Sequence, residues 1–287
     1  MKNIALLTCK DLPELIESDR KLIPLFEKEG YKAEPVIWND ELIKWEKYDA
    51  LIFRNIWDYF LYESEFDFWL EQIDKLNLMS FNPIKVIQKN KHKFYLKEMK
   101  DAGINIIPSV FIPKTSHFDL KDFISESSWN QIILKPAVSA GSYMTELFEL
   151  KDVEKINNKI KTIAADREWI LQEFMPEIQT EGELSFIFFN KSFSHSVIKK
   201  PKTGDFRIQS QFGGTYSNYN PEKSLLQDLQ NIIDFIPNDL LYARVDGVIR
   251  NNSFFLMELE LIEPDLFFNF VEDGPQRFVN AFLEVNK

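Results

Sequence analysis

The chain has 287 residues, 45% of them hydrophobic and 14% aromatic, which supplies ample apolar material for buried cores and excludes disorder by composition. A formal net charge of −11 argues against double-stranded nucleic acid as a partner, since that binding needs a basic stripe. The one cysteine, Cys9, excludes a disulfide framework, the scattered His92, His117 and His195 match no zinc-binding spacing, and no apolar run reaches bilayer length. The start, MKNIALLTCK, has too short an apolar core for a signal peptide, so a cytoplasmic protein without a membrane partner is expected.

In chain order, the apolar run Ile4 to Thr8 reads as a buried parallel strand, followed by a helix around Ser18 to Glu29 that Gly30 closes. Strands are expected at Lys32 to Trp38 and Asp49 to Phe53. This alternation predicts a small open α/β lobe over residues 1–82, with ligands beyond the carboxyl ends of its strands, where Arg54, Trp57, Asp58 and Tyr59 fall. After the break at Asn82-Pro83 a helix is expected from Asn90 to Asp101. Strand-like INIIPSVFI follows, then a strand ending in Lys135-Pro136, a helix near Val153 to Ala165 and a strand from Trp169 to Phe174. Glu183 to Phe189 and Phe193 to Lys199 read as an antiparallel pair, Gly204 to Gly214 as a polar loop, and Asp228 to Ile236 as a helix. Tyr242 to Arg250 and Phe254 to Ile262 read as a second hairpin, with FVNAFLEV closing the chain as a helix. The fold class is thus mixed: an α/β lobe, then two α+β units over 83–175 and 176–287.

The most informative segment is YARVDGVIRNNSFFLMELELIEP. Side chains alternate along a strand, so Arg244 and Asp246 share one face, as do Glu258 and Glu260. A three-residue turn would pair 246 with 258 and 244 with 260, whereas a two-residue turn would send the acids to opposite faces. The first register is expected. It gathers three carboxylates that cannot all stay ionised without cations, and Mg²⁺ is the natural hard partner. Lys135 at the end of an apolar strand suits a phosphate, as does Lys91 or Lys93 in NKHKFYLKEM. The strand LQEFMP, with Gln172, Glu173 and Phe174, could offer backbone groups to an adenine edge. Lys199 and Arg207, among the turn glycines of VIKKPKTGDFRIQSQFGGTY, form a basic patch suited to an anionic substrate or a phosphate in transfer. Taken singly, each of these also fits a solvated face or a buried strand.

In order, the lysine helix, GIxxxPS, strand-Lys-Pro, LQEFM, GELS and D…ExE resemble the ATP-grasp superfamily. The likeness is to its glutathione-synthetase-like branch, which includes the O-ureidoserine cyclo-ligase of the cycloserine pathway. The resemblance covers nearly the whole chain. It implies three lobes that clasp ATP, with Lys93 or Lys91 and Lys135 on the phosphates, Gln172, Glu173 and Phe174 at the adenine and Glu183 near the ribose. It further implies Asp246, Glu258 and Glu260 on Mg²⁺ (or Mn²⁺), although Glu260 stands where the family has Asn. Arg207, Arg244 and Lys199 would steady the transferred phosphate, and Arg54, Trp57, Asp58 and Tyr59 would lie nearer the acceptor. The implied activity is ATP-dependent ligation of a small-molecule carboxylate to an amine through an acyl phosphate. Relatives of that kind are often dimers or tetramers, so a homodimer is expected. The rival expectations are a catalytically idle nucleotide-binding protein with the same fold and a carboxylate-pair glycosidase working without nucleotide.

Overall fold

The computed structural model describes residues 1–114, 120, 129–163, 166–205, 207–208, 212–237 and 239–286. Among them the strands form three sheets. The first runs in the order β2 (Tyr31–Ile37), β1 (Lys2–Thr8), β3 (Ala50–Asn55), β4 (Met79–Phe81), all parallel. Every residue of β3 is buried, as an apolar strand covered on both faces requires. The helix Glu63–Lys75 brings Phe66, Trp69, Leu70 and Ile73 onto this sheet at helical spacing, where they meet Trp38 and Phe53. The helix expected around Ser18 to Glu29 is two short helices, Glu17–Arg20 and Leu22–Lys28.

The second sheet is antiparallel, in the order β5 (Ser109–Ile112), β8 (Trp169–Glu173), β6 (Gln131–Pro136), β7 (Glu146–Glu149). It packs against Ile156 and Ile160 of the helix Val153–Ile163. The last residues of the expected Val153 to Ala165 helix lie outside the described set, as does part of the Gly204 to Gly214 loop.

The third sheet holds Glu183, Lys199, Arg244, Asp246, Glu258 and Glu260. Its order is β11 (Thr215–Asn218), β10 (Ser192–Lys200), β9 (Glu183–Phe189), β12 (Tyr242–Arg250), β13 (Ser253–Glu260). Arg244 pairs with Glu260 and Asp246 with Glu258, the expected partners, but not for the expected reason. Arg250 pairs directly with Ser253, so the turn is the two residues Asn251-Asn252, both with positive φ. The register is restored by a bulge at Met257, because Gly247 pairs with Leu256. Accordingly the buried face of β13 changes parity, from Phe254 and Leu256 to Leu259 and Leu261. A Cβ on Gly247 would lie 2.3 Å from the Phe255 carbonyl oxygen and 2.5 Å from the Phe254 ring, so the kinked ladder admits only glycine there.

The helix expected from Asn90 to Asp101 starts only at Tyr95, and a separate helix, Ile84–Asn90, ends where it was expected to begin. Between them the Lys93 N–H donates to the Ala137 carbonyl at 2.8 Å, outside any helical ladder. Tyr95, Leu96 and Met99 pack in the core of the third sheet. They also manage its open edge. Asn90 donates to the Leu259 carbonyl at 2.7 Å and accepts from Leu261 N–H at 2.9 Å, the Tyr95 hydroxyl accepts from Leu259 N–H at 2.8 Å, and Asn105 and Ile107 exchange backbone bonds with Leu256. The first and third sheets share a core completed by the closing helix Gly274–Val285. Buried Asn82 links them, donating to the Tyr242 and Leu261 carbonyls at 2.8 Å and accepting from Leu241 N–H at 2.8 Å. No helix among the described residues is long and apolar enough to cross a membrane.

Candidate active site

A cavity of about 580 Å³ opens between the second and third sheets, with Trp57, Tyr59 and Phe60 from the segment after β3 on its wall. Alternation along β12 turns Ala243 and Val245 into the apolar core and leaves Arg244 and Asp246 on the cavity face. The neighbouring strand β9 sets Ser185 beside Asp246, and β10 sets Lys199 beside Glu183. Asp246 is the hub of this face. Its carboxylate accepts from Arg244 Nε at 3.1 and 3.0 Å and from the guanidinium NH2 at 2.8 Å, as well as from the Ser185 hydroxyl, and Lys199 Nζ lies 3.5 Å away. Burial pushes the Asp246 carboxyl up, but Arg244 and Lys199 outweigh it and hold the group below the usual carboxylate range. Burial alone would lower the Lys199 pKa, but Asp246 and Glu183, the latter at 2.5 Å, outweigh it and raise it above the ordinary lysine value.

Across the cavity Lys93 lies 3.0 Å from Glu258 and donates to the Ser139 carbonyl. Lys135, at the end of β6, donates to Gln172 Oε1 at 3.2 Å, and Gln172 donates on to the Ser109 hydroxyl at 3.0 Å. Burial first, and the Lys93 ammonium second among the lowering influences, depress the Lys135 pKa, while Glu258 opposes them. Glu260 accepts from Arg244 at 2.5 Å, yet burial, with Asp246 and Glu258 adding to it, pushes its carboxyl up to about 8. The guanidinium is already claimed by Asp246, so one cation serves two carboxyls and burial prevails at Glu260.

Of the residues named from sequence, Lys93, Lys135, Gln172, Glu173, Phe174, Glu183, Lys199, Arg207, Arg244, Asp246, Glu258, Glu260, Trp57 and Tyr59 line this cavity. Others are occupied elsewhere. Lys91 is paired with Asp67 and Glu63, so of the two lysines only Lys93 reaches the cavity wall. Arg54 is fully buried, donating to Asp19 at 3.0 Å and to the Pro264 carbonyl at 3.0 Å, and ties the first lobe to the segment after β13. Asp58 accepts from Trp38 Nε1 at 2.7 Å. The N–H groups of Glu173 and Phe174 already donate to Pro108 and Gln131, and the Glu173 carboxylate binds Arg250 at 2.8 Å. Those two amides are therefore not offered to a ligand. Arg207 is held by Asp205 at 2.8 Å. Among the described residues no three His, Cys, Asp or Glu side chains converge as a ready-made metal ligand set.

Sequence reasoning missed Glu263, whose side chain is almost wholly buried at the cavity wall. Burial, with Glu260 next, drives its carboxyl well above the usual range. The only signal was one more acid in ELELIEP, three positions after Glu260 and off the strand alternation.

Residues 4–82 match the family model described as D-cycloserine synthetase DcsG, N-terminal domain. The chain is 24% identical to the cycloserine biosynthesis protein DcsG of Streptomyces lavendulae, over 96% of this chain and 93% of that one. A crystal structure of D-cycloserine synthetase DcsG superposes with TM-score 0.85 at 23% identity, covering 99% of this chain and 100% of that one. D-alanine–D-alanine ligase from Bacillus anthracis complexed with ATP gives 0.73 at 12% identity, covering 99% and 97%. The ATP-grasp ligase PsnB, complexed with a minimal precursor, Mg and ADP, gives 0.65 at 11%, covering 99% and 98%. The chain therefore has the ATP-grasp fold. Within that fold it is similar along its whole length to D-cycloserine synthetase DcsG.

Proposed function

We propose that the chain is an ATP-dependent carboxylate–amine ligase that works through an acyl phosphate and takes an amino acid or small peptide as substrate. The observation that carries this reading is the meeting of Lys93 and Lys135 with Asp246, Glu258, Glu260 and Arg244 in one cavity. The ATP-grasp fold and the likeness to ligases support it. The substrate carboxylate oxygen attacks the γ-phosphorus of ATP as the bond to the bridging oxygen breaks and ADP leaves. An amine then attacks the acyl carbon, expelling phosphate and losing a proton. Negative charge on the transferring group is met by the Lys93 and Lys135 ammonium groups and by Arg244 and Lys199, so the protein contributes position and electrostatics, not a nucleophile.

A hard divalent cation fits the residues present. Glu258 and Glu260 each use one carboxyl oxygen within the protein, on Lys93 and Arg244, and have no second partner among the described residues. A cation would also offset the burial and neighbouring acids that raise the Glu260 carboxyl. Glu258 and Glu260 would hold Mg²⁺, and Asp246 would join them once phosphate oxygens draw Arg244 away. When bound, the ion neutralises phosphate charge.

The test is a phosphate-release screen over amino acids and dipeptides with Mg-ATP. Activity is expected with at least one acid, and Asp246→Asn should cost about 10²-fold or more. Nucleotide binding without phosphate release for any acid would instead identify an idle nucleotide-binding protein. Undiminished turnover in Asp246→Asn would remove Asp246 from the machinery.

A further inference from the structure

Residues 261–267 run between the end of β13 and the short helical turn Phe268–Phe270. Every carbonyl from Leu261 to Leu266 accepts from a different side chain. Leu261 accepts from Asn82 at 2.8 Å, Ile262 from the Tyr242 hydroxyl at 2.7 Å and Glu263 from Trp57 Nε1 at 2.8 Å. Pro264 accepts from the Arg54 guanidinium at 3.0 Å, Asp265 from Arg244 at 3.0 Å and Leu266 from His195 Nε2 at 2.9 Å. Side chains thus do for this strap what a ladder does for a strand, and they fix its path peptide by peptide.

The strap ends on Arg244. Asp265 receives the guanidinium, and the Phe267 ring lies 5.3 Å from it. Phe267 has φ of 51°, the left-handed region that a bulky side chain rarely adopts, and its N–H donates to the Asp265 carboxylate at 2.8 Å. Such a backbone persists only where its surroundings over-determine it. Arg54 and Trp57 hold the two peptides just before Asp265. Arg54 is wholly buried and stands outside the cavity wall, with Asp19 at 3.0 Å from its Nε and the Tyr242 and Phe278 rings at 5.2 and 5.8 Å. It reaches no ligand, but it holds the chain that receives Arg244.

We propose that Arg54 is a positioning residue that acts through the strap: by fixing the Pro264 carbonyl it sets where the Asp265 carbonyl and the Phe267 ring hold Arg244 against the γ-phosphate. This rests on the ligase reading for the role of Arg244, but its test does not require turnover. Arg54→Lys keeps a cation beside Asp19, while a single ammonium cannot span to Pro264 as the guanidinium fork does. Wild type, Arg54→Lys, Arg244→Gln and the double variant are titrated calorimetrically with Mg-ADP and with Mg²⁺ and a non-hydrolysable ATP analogue. In Arg54→Lys the ratio of analogue to ADP affinity is expected to fall about fivefold or more, roughly what one hydrogen bond contributes, with ADP affinity within about twofold of wild type. In the Arg244→Gln background Arg54→Lys should change that ratio by less than about twofold, because a residue acting through another has no effect once the other is gone. Should Arg54→Lys not fold, Trp57→Phe removes the neighbouring donor, keeps an aromatic ring, and should lower the ratio about threefold.

An unchanged ratio, an equal loss of affinity for both nucleotides, or the same fall with and without Arg244 would overturn the proposal and leave Arg54 a purely structural residue. Binding of neither nucleotide by folded wild type would overturn it together with the ligase reading. The expected ratios without phosphate release for any acid would sink the ligase reading and leave the positioning role standing. Phosphate release by wild type with an unchanged ratio in the variants would do the reverse.

Discussion

Glu260 shows how burial can outweigh a neighbouring cation. Its neighbour Arg244 is pinned by Asp246, so burial prevails and the carboxyl stays protonated up to about pH 8. In the unfolded chain it titrates near the ordinary 4.5. Between those values the folded protein binds a proton that the unfolded chain has lost, so this group's contribution to stability is full below about 4.5 and disappears as pH rises through about 8. Metal-free protein should therefore unfold at lower urea at about pH 9 than at about pH 6, and Glu260→Gln should flatten that difference. An equal pH dependence in wild type and variant would refute the assignment. Residue identities in the cavity were largely readable from strand alternation, because parity alone puts Arg244 and Asp246 on one side. Arg54 and Asp58 were not, since position at a strand end does not reveal that Asp19 and Trp38 claim them first.

At the scale of elements, the β12–β13 hairpin delivers the carboxylates through two departures from regularity. The Asn251-Asn252 turn alone would set Asp246 opposite Met257 and send Glu258 to the apolar side. The bulge at Met257 reverses that outcome, and Gly247 makes room for it. Replacing Gly247 with alanine should destabilise the protein by about 2–3 kcal/mol in urea unfolding and weaken Mg-ATP binding with it. A variant of native stability and affinity would show that the ladder does not need the glycine. The hairpin's partner residues were legible, but its turn length was not. The phase change from Phe254 and Leu256 to Leu259 and Leu261 was present in the pattern and points to a bulge only when the two-residue turn is recognised first. The helix break at Lys91 to Phe94 was hidden for another reason: the acceptor for the Lys93 amide lies at residue 137, far along the chain.

For the whole molecule, most strands could be placed along the chain from local pattern, but not how the three sheets are joined. Their junction depends on contacts such as Asn82 with Leu241, Tyr242 and Leu261, about 160 to 180 positions apart, which no local pattern encodes. Asn82→Ala would leave the Leu241 amide and two carbonyls without this partner in a buried place and should cost about 3 kcal/mol of stability, read from the urea midpoint. A loss within about 0.5 kcal/mol would show that other contacts carry the junction.

Phe282, in the closing helix, meets the rings of Phe26 and Tyr31 edge-on at 5.1 and 5.3 Å and Phe81 at 5.0 Å. Part of the interior of the first sheet is thus supplied by a helix that lies far along the chain from it. Until that helix docks, the sheet exposes the apolar face it covers, so the two are expected to complete their folding together.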